Sequence, residues 1–132
     1  MQPELKFGAA VFTLALLAAT PLAMADAADF EFRLLEPSVQ QGDDVSVTVR
    51  LIDRRSGNPV ADAVIFATRM DMAPDGMESM TAPIEAVPST VPGIYSFKTN
   101  LVMEGGWRFS IAAKIQGEVE TVESRLILEV VP

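Results

Sequence analysis

Val45-Ser46-Val47-Thr48-Val49-Arg50-Leu51 alternates apolar and polar side chains without a break. A β-strand sends successive side chains to opposite faces, so this period of two puts Val45, Val47, Val49 and Leu51 on one side and Ser46, Thr48 and Arg50 on the other. The stretch is a strand with one face in a core, and Gln41-Gly42-Asp43-Asp44 ahead of it is a turn. The same period recurs on both sides. Upstream, Phe30, Phe32 and Leu34 alternate with Glu31 and Arg33 until Pro37 stops the run. Downstream, a polar loop over residues 53–60 leads into a strand over 63–72, with Val64, Phe66, Thr68, Met70 and Met72 expected on one side.

The rest of the chain keeps to this period. Pro83 and Pro88 bound a short edge strand, since neither donates to a ladder. Residues 94–101 form a strand with Tyr95, Phe97 and Thr99 sharing a face; Glu104-Gly105-Gly106 then turns the chain into 107–115, with Trp107, Phe109, Ile111, Ala113 and Ile115 inward. Gly117 closes a hairpin, and residues 122–131 supply the last strand with Val122, Leu126, Leu128 and Val130 together. About seven short strands at regular spacing, with no helix after Ala25, predict an all-β fold, an immunoglobulin-like antiparallel β-sandwich.

The N-terminus has a different character. Residues 1–6 carry one Lys, an apolar run follows from Phe7 to Ala19, and Ala23-Met24-Ala25 is the small-x-small pattern after which a signal peptidase cuts. Residues 1–25 are therefore expected to be a signal peptide and 26–132 the domain. The run from Phe7 to Ala25 is also long enough for an uncleaved membrane anchor, and either reading puts the domain outside the cytoplasm, periplasmic or secreted. No cysteine is present, so burial of apolar surface, not disulfides, must hold the fold. Without Glu4 and Lys6 the mature part keeps nine basic and seventeen acidic residues, a net charge of −8 that repels phosphate backbones and argues against nucleic-acid partners.

One stretch does not fit a packed core. Met70-Asp71-Met72-Ala73-Pro74-Asp75-Gly76-Met77-Glu78-Ser79-Met80 places four thioethers in eleven residues of a polar, Pro- and Gly-containing segment. Thioether sulfur is a soft donor suited to Cu(I), and no Cys or His in the chain competes for such an ion. Met70 and Met72 leave one face of a strand, where they are either ligands or the continuation of the core face. Met77 and Met80 share a side if residues 74–80 form a helical turn with Pro74 near its start; the alternative is an apolar flap over the end of the sandwich. Met103, just before Gly105-Gly106, completes a three-sulfur set if it lies at the same end, or is a strand-end core residue. Asp71, Asp75 and Glu78 do not have the spacing of a calcium loop.

Pro92-Gly93-Ile94-Tyr95-Ser96-Phe97 and Leu101-Val102-Met103-Glu104-Gly105-Gly106-Trp107-Arg108-Phe109, with Met72-Ala73-Pro74-Asp75-Gly76-Met77 ahead of them, resemble the FixH and YtkA-like family of small exported or membrane-anchored domains. The resemblance runs from about Val39 to Val130. It implies copper supply to haem-copper oxidases or a part in metal efflux, with a membrane oxidase-assembly or efflux component as partner. Relatives carry His in the Met-containing loop and this chain does not, so a ligand set carried over is thioether only: Met70, Met72, Met77, Met80 and Met103 with Cu(I). Lacking His and Cys, the chain lacks the usual general bases and nucleophiles and is read as a non-enzyme. The competing reading is a metal-free interaction module that docks on a membrane or efflux complex through a Met-rich apolar patch; oxidation sensing by exposed Met is a third.

Overall fold

The computed structural model describes residues 27–132. The expected signal peptide, residues 1–25, lies outside them. After a 3-10 turn at Ala27–Asp29 come nine strands: β1 (Phe30–Leu34), β2 (Ser38–Gln40), β3 (Gly42–Asp53), β4 (Ala63–Met72), β5 (Met77–Ala82), β6 (Ile84–Val87), β7 (Ile94–Leu101), β8 (Gly105–Ile115) and β9 (Thr121–Val131). They form two sheets, β1-β3-β7-β6 and β2-β9-β8-β4-β5. The fold is an immunoglobulin-like β-sandwich.

Two strands were not expected. β2 is three residues long, too short for a period to register, and it runs parallel to β9 with Ser38 opposite Glu129, so the sandwich is not wholly antiparallel. β5 reads Met77-Glu78-Ser79-Met80-Thr81-Ala82 and has almost no buried face, which removes the alternation that announces a strand.

The core lies between the sheets where the alternating residues meet. Val47, Val49 and Leu51 of β3 face Phe109, Ile111 and Leu128 across it, and the Phe97 and Phe109 rings pack edge to face with centroids 5.2 Å apart. Trp107 is buried as expected, and its indole N–H donates to the Met103 carbonyl at 2.9 Å.

β4 departs from the sequence reading in one respect. Ile65 pairs with Ala113 and Ala67 with Ala112, which leaves Phe66 as an extra residue without a partner on β8. A single extra residue reverses the facing of everything after it. Val64 and Phe66 consequently stand in solvent at 64 % and 56 % exposure, while Met70 and Met72 turn inward.

Gly93 shows where backbone freedom is required. Its φ is +80°, its carbonyl accepts the Leu51 N–H at 2.9 Å, and a side chain there would run into Pro59. Gly93→Ala is expected to lower stability by about 2–3 kcal/mol, combining the left-handed penalty with the clash. Urea unfolding measures it; an unchanged midpoint contradicts this account of the turn.

Candidate functional site

The methionine segment is built by the hand-over from β4 to β5. After Met72 the chain makes a 3-10 turn over Ala73–Asp75 with Pro74 near its start, and Gly76 closes it in the left-handed region with its N–H on the Ala73 carbonyl at 2.9 Å. β5 then runs back beside β4. Met77 sits opposite Met72 and Thr81 opposite Asp71, so residues 78–80 bulge out with no counterpart on β4. The helical turn expected over residues 74–80 is thus confined to 73–75. Met77 and Met80 stand instead on an edge strand, because Met77, Thr81 and Ala82 find ladder partners on β4 that a helix would forgo, with Met80 in the bulge between them.

Polar groups pin this segment on both sides. Asp71 is fully buried: one carboxylate oxygen accepts the Ala73 N–H at 2.9 Å, and the other accepts Arg69 Nε at 2.9 Å and Arg108 Nη2 at 3.1 Å. The same two arginines reach β5, Arg69 donating to the Glu78 carbonyl at 3.0 Å and Arg108 to the Glu78 carboxylate at 3.3 Å. Burial alone pushes the Asp71 carboxyl up, but the Ala73 N–H and the guanidiniums of Arg108 and Arg69 outweigh it and hold it below the usual carboxylate range. On the other flank Asp75 accepts the Gly106 N–H at 3.2 Å, tying the turn to the start of β8.

These ties bring several of the expected sulfurs to one end of the sandwich. Gly105 packs beside the Met72 methyl and the Asp75 carboxylate, and Met103 lies two residues before it, in the connection from β7 to β8. Met77, opposite Met72, is at the same end; Met80 is three residues further along β5. Exposure divides the five. Met77, Met80 and Met103 are 37 %, 41 % and 40 % exposed, whereas Met70 and Met72 are 1 % and 0 %. Of the two readings open for Met70 and Met72, ligand or continuation of the core face, the structure has both in the core, packed with Phe109 and its neighbours away from solvent. Trp107, the aromatic nearest this rim in sequence, is likewise buried.

Among the described residues no group of three or more His, Cys, Asp or Glu side chains is placed to hold a metal ion, so a soft ion would rely on thioethers. The sequence reading missed the Asp71 network. Its signal was faint: Arg69-Met70-Asp71 carries opposite charges two apart, but that Arg108 joins them follows only from the β4–β8 register, in which Asp71 and Arg108 are opposite one another.

The whole arrangement belongs to a small two-sheet sandwich with a loop-bearing rim, and its sequence matches a known family. Residues 24–112 match the family described as YtkA-like, and the chain belongs to that family. None of the curated proteins matches it significantly. Solved structures similar in part are the Lin-41 filamin domain (15 % identity over 78 % of this chain and 92 % of that one, TM-score 0.48) and the ZirS C-terminal domain (12 %, 96 % and 95 %, 0.46). Another is the S-layer protein SbsC domains 4 and 5 (20 %, 77 % and 51 %, 0.38). The fold assignment rests on the strand order and register, not on these likenesses.

Proposed function

We propose that the chain is an exported, non-catalytic copper-handling accessory domain that captures Cu(I) reversibly at its methionine rim. The observation that supports this is the division among the methionines: Met77, Met80 and Met103 hold large apolar side chains in water around a turn that polar contacts fix in place. Leaving such side chains exposed forfeits burial, and a soft ligand is what three accessible sulfurs suit. Neutral sulfurs bring no charge to offset the ion's lost hydration, so capture is reversible, as a shuttle requires. Within the YtkA-like family this corresponds to a FixH-like part in copper supply to an oxidase, or to efflux.

Met77→Leu with Met80→Leu is expected to abolish Cu(I) binding in a competition assay with a chromogenic Cu(I) chelator while leaving the unfolding midpoint nearly unchanged, since both residues are exposed. Binding equal to that of the parent protein would refute the proposal. The second reading, a metal-free module docking on a membrane or efflux component, is favoured by β5 being an exposed edge strand. Native mass spectrometry after Cu(I) loading separates them. One ion retained per chain supports the first, and none retained with a membrane component captured supports the second.

A further inference from the structure

β5 covers β4 only from Met70 to Met72, so residues 63–69 of β4, apart from the bulged Phe66, pair with β8 on one side and, among the described residues, with no strand on the other. The free edge reads Ala63-Val64-Ile65-Phe66-Ala67-Thr68, with neither Pro nor Lys to blunt it and the bulge at Phe66 as its one irregularity. Beneath it the two sheets part into a cleft of about 480 Å³ between β4 and the β6–β7 segment, and no charged side chain lines that cleft. Ile65, Val87, Ile94 and Phe97 form part of its wall, with Phe66 and Val91 more than half exposed on it. At one end the Tyr95 hydroxyl donates to the Val60 carbonyl at 2.7 Å and accepts the Ala63 N–H at 3.2 Å. A side chain there takes the place that a neighbouring strand's carbonyl would hold.

We infer that this edge is a docking site for an extended peptide, which adds as a further strand beside β4 and lowers alternate apolar side chains into the cleft. The occupant follows from two features. Unpaired backbone groups along a strand edge are matched in register only by another extended backbone, and the uncharged cleft beneath this edge takes the apolar side chains that such a strand presents at every second position. Charge then selects among peptides. Asp62 acts electrostatically on Tyr95 and is the charge nearest that end of the cleft, whereas Glu118, in the turn after Ile115, is engaged by Arg55, so Asp62 sets the sign of the charge there. Lys114, opposite Val64, lies with it on the outer face of the sheet, away from the cleft. The fitting partner has an apolar middle and a basic residue at the Ala63 end. A second copy of this chain brings the same acidic groups and a net charge of −8, and fits less well. The inference is independent of the copper reading.

The test is an NMR titration of the purified protein with a synthetic peptide of about eight residues, alternating valine and threonine with lysine at one end. Saturable amide shifts confined to residues 63–69 and 86–97 are expected, with slowed hydrogen exchange at 64–69. Thr68 is exposed and lines the cleft, and Thr68→Asp is expected to weaken binding about tenfold or more without altering the rest of the spectrum. The same peptide ending in glutamate should bind more weakly than the lysine form. Shifts elsewhere or none, equal binding by Thr68→Asp, or equal binding of the two peptides would overturn the inference. So would self-association through residues 63–69 without peptide, which would assign the edge to a second copy.

Discussion

Phe109→Ala is expected to lower the stability of the folded domain by about 4 kcal/mol, as measured by the midpoint and slope of urea unfolding. Phe109 is fully buried at the centre of β8, opposite Met70 on one side and Leu126 on the other, with its ring against that of Phe97. Removing the ring takes away its transfer free energy and leaves a cavity that two hydrogen-bonded sheets are poorly able to close. With no disulfide to offset the loss, much of a typical domain's stability of about 5–15 kcal/mol goes with one side chain. A loss below about 1.5 kcal/mol would mean that the sheets do not meet where the structure puts them.

Asp71→Ala is the second large effect, expected at about 3 kcal/mol. The substitution strands the Ala73 N–H and removes the shared anion between Arg69 and Arg108, whose side chains are 50 % and 24 % exposed and so recover part of the loss by hydration. The pH dependence has a definite sign. The folded carboxyl titrates below its unfolded value of about 3.9, so its stabilisation is complete above that value and fades as pH falls through the lower, folded one. Acid unfolding of the parent protein should therefore steepen below about pH 4, and Asp71→Ala should flatten that slope while Glu31 and Asp53, both also held low by arginines, keep their share. An identical acid profile for the two proteins would deny Asp71 its place as the anchor of the methionine segment.

How much of this was readable beforehand depended on whether the information was local. Val45 to Leu51 and Trp107 to Ile115 announced their buried faces because each alternates regularly, and both bury the residues expected. The β4 facing was misread because a bulge is a relation between two strands: nothing within Ala63 to Thr68 marks Phe66 as the extra residue until Ala113 and Ala112 are placed opposite Ile65 and Ala67. That single offset moved Val64 and Phe66 out and fixed Met70 and Met72 in. β5 escaped notice for a related reason, since an edge strand with both faces wet has no hydrophobic period to show. At the rim, sequence identified the residue type and the turn, while only the register reveals that Asp71 and Asp75 hold the turn from opposite flanks.

On the proposed function, the accessible sulfurs, and not the buried ones, meet the ion. Methionine methyl resonances report this directly under anaerobic titration with Cu(I). The methyls of Met77, Met80 and Met103 should move together and saturate at one ion per chain, with those of Met70 and Met72 stationary. Movement of the Met70 and Met72 methyls instead, or no movement at all three rim positions in the presence of excess Cu(I), would contradict the account.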